Sequence, residues 1–319
     1  MAWAQCVAMN LLRTCFIVGL LLCGAVMAAP ADKRIAISVD DLPLANQRPL
    51  SLADKQAQTE RMLAALRKHQ VPAIGFVNED RLQVRGEVDG HISLLQRWLD
   101  AGMELGNHGY GHLSMQKTPL DQYQDAVLRG DVVLRSLLVP RGQAPRYWRH
   151  PYLQTGKSDE ETAQFEAFLA RRGYRVAPVT VEHDDYVFAC VYERADAAGK
   201  RRTLEAYLPH LDLALDAYER MSQELFARQI PQILLIHANE INADSLDATL
   251  QRLRERGYRF ITLDEALADP AYASPTAASK QFGSSWLARW ARALNKKLSV
   301  YGQPDPSGWV AERYAAECR

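Results

Sequence analysis

Seven short β-like runs, separated by helical stretches, pace this chain from residue 34 to residue 262, and that alternation constrains its fold more than any other feature. The runs are Arg34–Val39, Pro72–Val77, Met103–Asn107, Tyr147–His150, Tyr174–Val181, Gln232–Ile236 and Tyr258–Thr262. Helical patterning falls near 51–70, 89–101, 119–138, 158–173, 201–228 and 243–256, and three of these segments end on Gly102, Gly173 and Gly257. Alternation of this kind implies βαβ units and a parallel sheet. Seven strands predict an α/β fold closed as a (β/α)7-type barrel, with a doubly wound open sheet as the alternative. No repeat of fixed period is visible.

The 319 residues are 48% hydrophobic and 24% charged, an ordinary globular balance. The formal net charge of +0 gives no electrostatic case for a nucleic-acid partner. Arg13, the apolar run Cys15–Cys23 and the small residues after it read as an export signal over residues 1–28, cleaved after Ala28. Pro30 blocks cleavage after Ala29, and Leu22 is too large to precede a lipidated Cys23. The expected location is periplasmic or secreted. An uncleaved anchor is the alternative, although the run is short for a membrane span. Losing the leader leaves only Cys190 and Cys318, which is no disulfide framework, and sequence does not say whether they pair. Residues 29–269 form the expected main domain, and 270–319 a C-terminal linker and helical extension. Ser285–Leu298 reads as one basic amphipathic helix carrying Trp286 and Trp290. Either its tryptophans pack on the barrel, or residues 285–298 make a weak membrane or envelope contact.

Chemistry-bearing residues collect where the predicted strands end. Asp40 and Asp41 close the first, His108 follows the third, Arg149 ends the fourth, Asp184 and Asp185 follow the fifth, and His237 follows the sixth. In an α/β barrel these ends converge on one face, where active sites form. Two adjacent carboxylates repel, and a nearby cation relieves that repulsion. One carboxylate and two histidines suit a catalytic zinc ion with a position left for water. Asp41, His108 and His112 meet that need, leaving Asp40 as a base partnered by Arg149. Each residue alone has a plainer reading: a helix cap at Asp40-Asp41, a glycine-rich surface turn at 108–112, a surface ion pair at Arg149, a core histidine at His237. The loop 238–242 either contacts substrate or caps the next helix.

These residues fall into five short motifs, and the chain resembles the polysaccharide deacetylases with a NodB-type domain, carbohydrate esterase family 4. Ser38-Val39-Asp40-Asp41 is similar to Thr-Phe-Asp-Asp. Asn107-His108-Gly109-Tyr110-Gly111-His112 contains a version of His-[Ser/Thr]-x-x-His, and Arg149-His150-Pro151-Tyr152 resembles Arg-x-Pro-[Tyr/Phe]. Asp184-Asp185-Tyr186 loosely resembles an aspartate-and-tryptophan motif, and Leu234-Leu235-Ile236-His237 resembles Leu-x-x-His. The likeness covers residues 33–269 and implies a distorted (β/α) barrel. It implies Asp41, His108 and His112 as ligands of a divalent metal, Zn2+ first, with Co2+, Ni2+ or Mn2+ as alternatives. It further implies Asp40 as base, Arg149 as its positioning partner, His237 as acid and Asp185, chosen over Asp184, as the partner of His237. Tyr152, through its backbone N–H, together with Pro151 and Tyr186, would line the oxyanion and substrate side. Gly109, Leu42 and Tyr186 depart from the family's usual Ser or Thr, Gly and Trp.

The implied activity is hydrolysis of N-acetyl groups on a chitin- or peptidoglycan-like polysaccharide. Rival readings are an O-acetyl esterase or small-amide hydrolase on the same fold, and a silent envelope-binding protein.

Overall fold

The computed structural model describes residues 32–278 and 284–318. The expected export signal at 1–28 lies outside them. Seven strands occur among the described residues: β1 (Lys33–Leu42), β2 (Ile74–Val77), β3 (Glu104–Asn107), β4 (Tyr147–Trp148), β5 (Arg175–Val176), β6 (Gln232–His237) and β7 (Tyr258–Phe260). Every pairing is parallel, in the order β5-β4-β3-β2-β1-β6. β7 pairs with the first residues of β1, on the edge that β2 takes further along. Downstream of β5, Val181 bridges Leu234 of β6, so the sheet curls round toward closure. The α/β barrel expectation holds, and the open doubly wound sheet does not.

Eleven helices surround the sheet among the described residues: α1 (Leu52–Lys68), α2 (Val88–Asp100), α3 (Leu120–Arg129), α4 (Val132–Leu138), α5 (Asp159–Ala170), α6 (Asp185–Arg194), α7 (Ala197–Phe226), α8 (Glu240–Glu255), α9 (Leu263–Leu267), α10 (Trp286–Ala293) and α11 (Gly308–Glu317). β1 is buried from Ile35 to Leu42, as a strand covered on both faces must be. The helix expected over 119–138 is two, α3 and α4. Gly130 breaks it, packed so closely on the turn after β3 that an added Cβ would lie 2.8 Å from Asn107 Oδ1.

Two expectations need correction. The strand expected over 174–181 keeps only Arg175–Val176 and the Val181 bridge. The helix expected over 285–298 ends at Ala293. Its membrane-contact reading fails as well, because Trp286 and Trp290 are buried in the same apolar cluster as β1 and β6. Arg289, on the same helix, is fully buried, with its guanidinium 3.8 Å above the Trp286 ring. No helix among the described residues is long and apolar enough to cross a membrane. Cys190 and Cys318 do pair, and their disulfide ties α6 to the end of α11.

Candidate active site

Asp40 and Asp41 are neighbours on one strand, so an unbroken pleat would point them to opposite faces. β1 avoids this with an irregularity. Val39 pairs with Gly75 and Leu42 with Val77, leaving both aspartates opposite Phe76. Asp41 takes φ 65°, and the extra residue turns its side chain toward the same cavity as Asp40. The helix-cap reading of the pair is excluded, since α1 starts at Leu52 with Ser51 as its cap.

The turn after β3 carries both histidines. Gly109 sits at φ 80°, and a side chain there would press within 3.1 Å of the Trp148 ring. That accounts for glycine where relatives of the motif carry Ser or Thr. The Gly109 N–H donates to the Asn107 side-chain Oδ1 at 2.7 Å, and this bond holds the turn instead. His112, at φ 45°, swings back toward His108.

His108 Nε2 and His112 Nε2 lie 3.8 and 3.7 Å from Asp41 Oδ1, and one donor atom from each of the three residues falls within 4.8 Å of the others. His108 Nδ1 donates to the Arg149 carbonyl at 2.9 Å, which leaves the Nε2 lone pair facing Asp41. Burial lowers both imidazoles to about 4, so they are neutral and fit to be ligands. Burial alone would raise Asp41, but Arg81 and the two histidines outweigh it and hold its carboxyl below the usual range. Asp41 Oδ1 is buried and makes no hydrogen bond. An unsatisfied carboxylate oxygen between two neutral imidazole nitrogens suits a divalent cation of the zinc type.

Asp40 has a different environment. Burial raises its carboxyl to about 6, against the pull of Arg149 and His237. Arg149 is fully buried, which excludes a surface ion pair. Its Nη1 reaches Asp40 Oδ2 at 3.3 Å, its Nη2 donates to Ser38 Oγ at 3.0 Å, and its guanidinium stacks 4.5 Å over Phe76.

Across the cavity, His237 Nδ1 donates to Asp185 Oδ1 at 2.7 Å. The other oxygen, Asp185 Oδ2, accepts from His237 N, Asn239 Nδ2 and Asn242 Nδ2 at 2.8, 3.2 and 2.6 Å. Asp184, in a left-handed conformation at φ 54°, turns away and accepts from Gln303 at 2.9 Å. Tyr152, also left-handed at φ 57°, packs its ring 4.4 Å from that of His112. Tyr152 and Tyr186 line the cavity, while Pro151 is buried behind Tyr152. Leu42 points away from the site and packs on Gly75, so that departure does not alter the cavity.

The sequence reading missed three side chains. Arg81, in the turn after β2, reaches Asp41 Oδ2 at 3.3 Å, and no motif marks it. Asn239 and Asn242 fall in the 238–242 stretch, Asn239 just before α8 and Asn242 in its first turn. Asn239 does cap α8, and both amides also hold Asp185.

A curled parallel sheet with this cluster at its strand ends defines the class of the NodB-like deacetylases. The family model for polysaccharide deacetylase matches residues 28–187, and the chain belongs to that family. It is 24% identical over 237 residues to the peptidoglycan-N-acetylglucosamine deacetylase PgdA of Listeria monocytogenes, covering 74% of this chain and 39% of that protein. A peptidoglycan-N-acetylglucosamine deacetylase of Bacillus cereus is 27% identical over 94 residues, 30% of this chain and 31% of that one. The chain thus spans well under half the length of these curated relatives. Among solved structures, a mutant of BA3943, a CE4 family pseudoenzyme from Bacillus anthracis, shares the fold at TM-score 0.50 and 19% identity, covering 75% of this chain and 68% of that one.

Proposed function

We propose that this protein is an exported, metal-dependent hydrolase that removes acetyl groups from N-acetylated sugars of a chitin- or peptidoglycan-like polysaccharide. One observation carries the reading: the Asp41–His108–His112 cluster shares a cavity with the buried Asp40–Arg149 pair and with His237, which is half-buried and held by the buried Asp185. Asp41, His108 and His112 would hold the cation, Zn2+ first, with Co2+, Ni2+ or Mn2+ able to take the same donors. When bound, it supplies Lewis-acid activation of water and of the acetamide carbonyl.

Asp40, kept in place by Arg149, takes the proton of the attacking water. The Tyr152 backbone N–H, presented by its left-handed turn, serves as an oxyanion donor. Asp185 fixes His237 with Nδ1 protonated and directs Nε2 into the cavity, where it delivers a proton to the departing nitrogen. Water and acetamide thereby become acetate and a free amine. The Cys190–Cys318 disulfide supports export, since such bonds persist in oxidising compartments. In this reading the deacetylase domain is 29–269, and 270–319 is an extension that braces α6. The test is acetate release from acetylated chitooligosaccharides by metal-loaded protein, set beside acetylated xylan. Release from xylan alone would replace the amide reading with the ester one.

A further inference from the structure

We propose that the site accepts a single terminal acetamido-sugar unit and excludes the interior units of a polymer, because a roof tied to Glu193 closes the cleft on one side. The inference rests on the deacetylase reading and narrows its substrate. The cavity measures about 270 Å³, just below the range of roughly 300–1,000 Å³ usual for small-molecule pockets. That is room for one small unit, whereas a bound polymer needs open passage on both sides of the reacting ring.

The wall of the cavity is α6. Tyr186, Ala189 and Glu193 recur at helical spacing and line it, while Phe188, Val191 and Tyr192 bury the other side of the helix. α6 runs outward from Asp185, and Glu193, eight residues on, lies ~12 Å further along the axis. There the stretch after β1 crosses over. Glu193 Oε1 accepts from Asn46 Nδ2 at 3.0 Å, and Glu193 Oε2 accepts from the Gln47 backbone N–H at 2.9 Å. Gln58 Nε2 holds Asn46 Oδ1 at 2.8 Å, and Ala45 N holds the Ala238 carbonyl at 2.8 Å. The roof is therefore fastened to α6, α1 and the loop before α8. The wall beneath it is fastened in turn, through the Cys190–Cys318 bridge to α11.

The lining is also polar enough to hold a sugar: Glu193 and Gln47 at the roofed end, and Glu182 beside the start of α6, carry oxygens able to accept from hydroxyl groups.

The experiment uses the full, metal-loaded protein on the N-acetylglucosamine dimer and pentamer, with the position of each freed amine read by tandem mass spectrometry. The expected result is acetate loss confined to one terminal unit, with kcat/KM no higher for pentamer than for dimer. Glu193→Ala and Asn46→Ala each cut the roof's fastening. Interior product, undetected with the unmodified protein, should then become measurable in both variants, since each loses one hydrogen-bonded tie. Interior deacetylation by the unmodified protein, or an unchanged product distribution in both variants, would overturn the inference and leave the deacetylase reading standing. Absence of acetate release from every substrate would remove the deacetylase reading and this inference with it.

Discussion

Asp185 accepts four hydrogen bonds, two of them from His237 alone, and so fixes both the backbone and the ring of that histidine. A buried carboxylate satisfied this fully is a rigid support. The His237 ring it carries keeps one edge toward the cavity.

The same pair makes stability depend on pH. Burial opposes both charges, but each partner outweighs it for the other, holding Asp185 at about 2 and His237 at about 9. The Asp185 contribution is present above its unfolded value near 3.9 and is lost as pH falls toward 2. The His237 contribution is whole below about 6.5 and is lost as pH rises toward 9. In metal-free protein, Asp185→Asn should therefore cost most between about pH 4 and 6.5, on the order of 3 kcal/mol. Urea unfolding of both proteins across pH measures it. A pH-independent difference would contradict the pair.

Asp40→Asn should keep its metal and lose kcat by ~10²–10⁴, the usual worth of a positioned base. Elemental analysis alongside acetate release checks both halves. Near-normal turnover with bound metal would exclude Asp40 as the base.

Asn242 tests the support behind the acid. Its amide donates to Asp185 Oδ2, and its oxygen accepts from Tyr207 at 2.6 Å. Asn242→Ala should lower kcat by about tenfold while KM changes little, because the residue touches Asp185 rather than the cavity. A rise in KM at unchanged kcat would place Asn242 in substrate binding.

Much of this site was legible because its chemistry is carried by residue types that need company. Paired aspartates, spaced histidines and a histidine ending a strand pointed to one face as soon as the strands were parallel. What sequence did not reveal were local departures from regular geometry. Strand periodicity alone puts Asp40 and Asp41 on opposite faces, and only the irregularity in β1 unites them. Asp184 and Asp185 were nearly indistinguishable until the left-handed turn at Asp184 aimed one at His237. The helix α6 escaped notice because Phe188, Cys190, Val191 and Tyr192 are buried and blur any one-sided period. At α10 the amphipathic pattern was real. Its apolar side faces the protein's own core, and even Arg289 is drawn inward.

The Cys190–Cys318 bridge closes a separation of 128 residues, and replacing both cysteines by serine should cost about 2–4 kcal/mol. Thermal unfolding with and without reductant measures this. Because α6 also lines the cavity, the variant should lose substrate affinity before it loses metal. Metal loss at unchanged KM would contradict that order.

The central claim is that Asp41, His108 and His112 hold a catalytic cation, and metal content measured together with acetate release tests it most directly. The purified protein should carry one equivalent of a divalent metal. A chelator should remove metal and activity together, Zn2+ should restore both, and His112→Ala should bind the metal far more weakly. Full acetate release from protein that contains no metal, or unchanged metal content in His112→Ala, would contradict the account.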